Sequence, residues 1–150
     1  MGQTSYSLNA PAALPGLISD IGPHEIVSKK AEGTIPFGYA VSRGTDADNQ
    51  VAAGGTAPIG VAVRDLHREI SDAGNTEYVD LETAAIMRKG YIWVTIAATT
   101  GVPGATLYSV DATGAIEIGT AGAGQTQLTG WSLENTVASA GDLGLIRVEE

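Results

Sequence analysis

From Glu25 onward the apolar and polar residues alternate in short runs, with little sign of helical spacing. The clearest run is Tyr91 to Ala97, YIWVTIA, rich in β-branched and aromatic residues. A pleated strand there sends Tyr91, Trp93 and Thr95 to one face and Ile92, Val94 and Ile96 to the other. The runs from Ile59 to Arg64, Thr83 to Arg88, Thr106 to Val110, Ala115 to Gly119 and Leu143 to Val148 read as further strands. EIVSKK and FGYAVS add two more near the start. Turn residues separate them: DATG (Asp111 to Gly114) joins two runs as a hairpin, TGVPG (Thr100 to Gly104) pairs Pro103 with Gly104, and SAGD (Ser139 to Asp142) precedes the last run. Asp65 to Gly74, with Leu66 and Ile70 four apart, predicts a short helical turn or a charged loop. Many short strands between turns predict an all-β fold, either a small barrel or a jelly-roll-like sandwich. Trp93, in mid-strand, is expected in the core, and Trp131, after Gly130, at a rim.

The first two dozen residues follow a different pattern. Pro11, Pro15 and Pro23 come in close order, which disfavours a long helix and favours an extended backbone. Tyr6, Leu8, Leu14, Leu17, Ile18 and Ile21 are spread along this stretch, more apolar side chains than a solvated tail keeps. The expected organisation is an N-terminal arm over residues 1–24 and a β domain over residues 25–150. The arm packs either on its own domain or on a neighbouring subunit. Deletion of residues 2–22 is expected to abolish partner binding and to leave the β domain folded.

Composition narrows the functional classes. With 150 residues the chain is long enough to bury a core of its own. Charged residues are 17%, below the usual ~25%. No stretch approaches the ~20 apolar residues of a membrane helix, so no membrane partner is expected. The opening MGQTSYSLNA lacks the basic region and apolar centre of a signal peptide. Zero cysteines exclude thiol catalysis and thiolate metal sites. A net charge of −9, with no long basic run, argues against nucleic acid as a partner.

Candidate chemistry is sparse. His24 and His67 are far apart and lack metal-ligand spacing. Asp46, Asp48 and Asn49 resemble the start of a calcium loop, but Gln50, Val51 and Ala57 stand where such a loop needs its fifth, sixth and twelfth residues. The simpler reading is an acidic connection between strands. No GxSxG elbow is present, and GTAGAGQ (Gly119 to Gln125) lacks phosphate-loop spacing. No cofactor and no catalytic residue are expected.

The ordered series SYSLNAPAALPGLISDIGPHEIVSKKAEGTIPFGYAVSRGTDADNQV, IGVAVRD, GYIWV, GATLYSVDATGAI and ASAGDLGLIRVE resembles the structural cement, or head-decoration, proteins of tailed bacteriophages. The likeness spans nearly the whole chain in order. The resemblance implies a non-enzymatic virion protein on the outer surface of the capsid. It would bridge neighbouring major capsid protein subunits, commonly as a dimer or trimer of itself. Candidate contacts are the arm (Tyr6, Leu8, Leu14, Leu17, Ile18), the loop carrying Arg43, Asp46, Asp48 and Asn49, and Trp131. The alternative is a ligand- or carbohydrate-binding β module such as part of a tail fibre, marked by an exposed aromatic platform at Trp131 or Tyr108. A carboxylate-pair hydrolase is the third reading.

Overall fold

A computed structural model describes residues 13–19, 22–66 and 76–150. The elements formed by these residues are all strands: β1 (Glu25–Ala31), β2 (Ile35–Pro36), β3 (Ala40–Arg43), β4 (Gln50–Ala53), β5 (Pro58–Ala62), β6 (Glu77–Tyr78), β7 (Thr83–Thr95), β8 (Leu107–Val110), β9 (Ile116–Ile118), β10 (Gln125–Gln127), β11 (Ser132–Leu133) and β12 (Leu143–Glu149). Tyr6, Leu8, Ile21, His67 and most of Asp65 to Gly74 lie outside the described residues.

The largest sheet runs β1-β4-β3-β5-β7-β12-β11, and β1 also pairs with β7. That second pairing closes β1, β4, β3, β5 and the first half of β7 into a small barrel. All its pairings are antiparallel except β1 with β4. Closure leaves these strands no free edge. The barrel interior is filled by Ala31, Ile35, Phe37, Val41, Val51, Ile59, Ala62, Tyr78, Ala84 and Ile86. Phe37 and Tyr78 meet edge to face, with centroids 5.1 Å apart. The buried Tyr78 hydroxyl donates to the Val63 carbonyl at 2.7 Å, so its polar end is satisfied.

The second half of β7 leaves the barrel and pairs with β12 from Thr95↔Leu143 to Lys89↔Glu149. With β11 it forms one layer of a sandwich. The three-stranded sheet β10-β8-β9 takes part in the same core, where Ile92, Val94, Ile96, Leu107, Ile116, Leu133, Ile146 and Val148 pack with Met87 and Val61. β7 therefore contributes to both cores. Ala84 and Ile86 face the barrel, whereas Met87, Ile92 and Val94 belong to the sandwich.

The alternation along Tyr91 to Ala97 places Ile92, Val94 and Ile96 at 0% exposure. Trp93 is on the other face and only half-buried, which corrects its assignment to the core. Trp131 is buried in the sandwich core instead. The DATG segment connects β8 to β9, which pair as a hairpin. Its last residue anchors the hairpin to the barrel, because the Ala40 amide donates to the Gly114 carbonyl at 2.8 Å.

Residues 13–19 pack on their own domain. The Gly16 amide donates to Trp93 O and the Ser19 amide to Tyr91 O, while Leu17 O accepts from the Trp93 amide. Ile18 pairs with Ile92 as an antiparallel bridge. Gly16 O accepts from the Arg64 amide, and the Arg64 guanidinium reaches Pro15 O at 3.1 Å. A deletion of residues 2–22 would therefore remove a hydrogen-bonded segment of the sheet together with any binding element. Removing residues 2–12 is the cleaner separation.

Candidate partner interface

The loop between β3 and β4 brings Arg43, Asp46, Asp48 and Asn49 together on the exposed surface. Asp46 organises it. Its carbonyl accepts from the Asn49 and Gln50 amides at 3.2 and 2.7 Å. Its carboxylate accepts from the Asp48 amide at 3.2 Å and from Asn49 Nδ2 at 2.9 Å. These are the local bonds that make Asp and Asn turn residues. Arg43 donates to the Ala47 carbonyl at 3.0 Å, and Lys29 from β1 donates to the Asp48 carbonyl. Glu32, at the end of β1, accepts from the Thr45 amide and hydroxyl at 2.5 and 2.6 Å.

The electrostatics follow from these bonds. The Thr45 hydroxyl and amide hold the Glu32 carboxyl below the ordinary glutamate range. The Asn49 side-chain amide, aided by the backbone amides of Asp48 and Asn49 and by Lys29, does the same for Asp46. Among the described residues, no group of three or more His, Cys, Asp or Glu side chains is placed to hold a metal ion. Both oxygens of the Asp46 carboxylate accept from its own loop, so the residue that would open a calcium loop organises a turn here.

The described part of the arm offers a second surface. Leu14 is 37% exposed at a tight turn closed by the Leu17 amide on Leu14 O at 3.0 Å. Leu17 and Ile18 are half-buried. Trp131, expected at a rim, is 8% exposed, and lines a surface cleft of about 420 Å³ with Ile59 and Leu128. The structure thus unites the four loop residues and, separately, the three described arm residues. Burial leaves Trp131 little surface for a partner.

The sequence profile of structural cement proteins (E217 gp24/Pam3 gp6) matches residues 2–149. A comparison with curated proteins finds no match. Among solved structures, a chain from the capsid of Myoviridae phage XM1 superposes with a TM-score of 0.76 at 15% identity, covering 99% of this chain and 98% of that one. At that identity the superposition speaks for the fold, and the profile match along almost every residue speaks for descent. The chain belongs to the structural cement protein family of bacteriophages.

Proposed function

We propose that this protein is a structural cement on the outside of a phage capsid, bridging neighbouring major capsid protein subunits without catalysing a reaction. The observation that carries this reading is the cement-family match over residues 2–149. The architecture suits it: two packed cores share the long strand β7, so a load on one is transmitted to the other. Contacts run through the arm, with Tyr6, Leu8, Leu14, Leu17 and Ile18, and through the loop with Arg43, Asp46, Asp48 and Asn49. A loop already held by its own hydrogen bonds loses little entropy on docking.

The mechanism is mass action. A protein that binds assembled shells and not free subunits shifts the equilibrium toward the shell, and many copies compound the effect. The protein acts as a dimer or trimer in this reading, needs no cofactor, and engages neither nucleic acid nor membrane. A carbohydrate-binding module would need an exposed aromatic platform, and the burial of Trp131 removes support for one there.

The test is co-sedimentation with phage shells assembled without the protein. Binding at a fixed ratio to the shell protein, with shells that survive higher temperatures, is the expected result. Intact bare shells in the pellet with all of the protein in the supernatant would overturn the reading. Deletion of residues 2–12 is expected to weaken binding, while the hydrogen bonds of residues 13–19 to the sheet remain to hold the domain folded.

A further inference from the structure

The turn between β6 and β7 holds a leucine in a backbone conformation that glycine favours. Leu81 adopts φ +71°, a left-handed conformation that favours Gly or Asn, and its side chain is 60% exposed. The strain gains no compensating burial within the chain. The conformation is nonetheless closely held. The Leu81 amide donates to Ala31 O at 2.9 Å, and Asp80 Oδ1 accepts from the Gly33 amide at 2.8 Å. The Val79 amide donates to Glu82 Oε2 at 2.7 Å, and the Glu82 amide to Val79 O at 3.2 Å. Val79, 39% exposed, stands beside Leu81. Strained residues persist where the surroundings over-determine them, and they cluster at binding sites.

The surroundings are acidic. Asp80 is close enough to Glu32 to oppose its ionisation, and Glu32 is bonded to Thr45 of the β3–β4 loop with its Asp46 and Asp48. The nearby cations Lys29 and Arg43 donate to the carbonyls of Asp48 and Ala47 and keep their charge, but Glu32, Asp46, Asp48, Asp80 and Glu82 outnumber them. One end of the barrel thus presents an apolar knob within a carboxylate rim.

We infer that Leu81, with Val79, is a docking knob that enters an apolar pocket on the capsid shell protein, a pocket rimmed by Lys or Arg side chains. This rests on the cement reading and names the contact through which it would act. Charge complementarity selects the occupant. A second copy of this chain fits poorly, since it carries 8 Lys and Arg against 17 acids. Two of its arginines are also engaged at carboxylates, Arg88 at Glu25 and Glu150 and Arg147 at Glu149.

The test uses Leu81→Gly and Leu81→Asn in the full chain, assayed by co-sedimentation with undecorated shells over a range of salt. Both residues accept the left-handed backbone, so both variants fold with melting temperatures at or above the parent's. Each is expected to bind about tenfold more weakly or worse, and Asp80→Asn to reduce the salt dependence of binding. Parent-like affinity in both Leu81 variants, while the unmodified protein binds shells, would overturn the knob and leave the cement reading standing. Failure of the unmodified protein to bind shells would overturn the cement reading and, with it, this inference.

Discussion

Substitution of Gly16 by Ala tests how the arm is attached to the domain. Gly16 has φ +80°, and a Cβ there would lie 2.9 Å from the Arg64 amide nitrogen, 3.0 Å from the Gly38 nitrogen and 3.0 Å from Phe37 Cβ. Two of these neighbours are backbone atoms, which cannot rotate away. Gly33 supplies the control, with φ +77° and nothing within 4 Å of its Cβ position. Gly33→Ala therefore bears only the left-handed penalty, roughly 1–2 kcal/mol. Gly16→Ala adds crowding of roughly 1–3 kcal/mol. A total of about 3 kcal/mol lowers the melting temperature of a chain this size by roughly 6–12 °C. If the arm detaches locally, the loss is capped at its docking energy, and the crowding emerges in hydrogen exchange instead. The amides of Trp93 and Arg64, which donate to Leu17 O and Gly16 O, then lose protection. Thermal denaturation and amide exchange of both variants decide the matter. A Gly16→Ala protein no less stable than Gly33→Ala, with Trp93 and Arg64 still protected, would refute the reasoning.

Three further outcomes follow from the same geometry. Ile146→Ala, at a position with 0% exposure in the sandwich core, is expected to cost about 2–5 kcal/mol by chemical denaturation. Ser109→Ala is expected to be neutral or mildly stabilising in the same assay, because the buried Ser109 hydroxyl has no hydrogen-bond partner among the described residues. Glu32 and Asp46 have folded pKa values below their unfolded ones, so the stability they contribute is complete above the ordinary carboxylate range and is lost as pH falls through the folded values. Denaturation across acid pH should show a modest decline below about pH 4, shallower in Glu32→Gln.

Much of the strand content was legible because period-2 alternation reports which face of a strand is buried. Ile92, Val94 and Ile96 are an example, and DATG marked its hairpin through turn chemistry. Partners were not legible, since alternation carries no information about which strands lie side by side. The parallel pairing of β1 with β4 and the barrel closure through β1 and β7 came only from the fold. Thr83 to Arg88 and Tyr91 to Ala97 read as separate runs across Gly90. The structure joins them through Thr95 because Lys89 and Gly90 keep their pairings with β12. Trp93 and Trp131 exchanged roles for a related reason: neighbours in space, not position within a run, decide which aromatic ring is covered. The loop residues Arg43, Asp46, Asp48 and Asn49 were legible as a cluster because they are contiguous. Leu81 was not, since a leucine between Asp80 and Glu82 reads as an unremarkable turn residue until its backbone conformation is known.

The central claim is that this protein bridges capsid subunits from outside the shell, and a density map of shells decorated with the full-length protein tests it most directly. The account predicts the β domain on the outer surface, in contact with two neighbouring major capsid subunits through the arm and the acidic end of the barrel. A protein seated within a single subunit, or on the inner face of the shell, would contradict it.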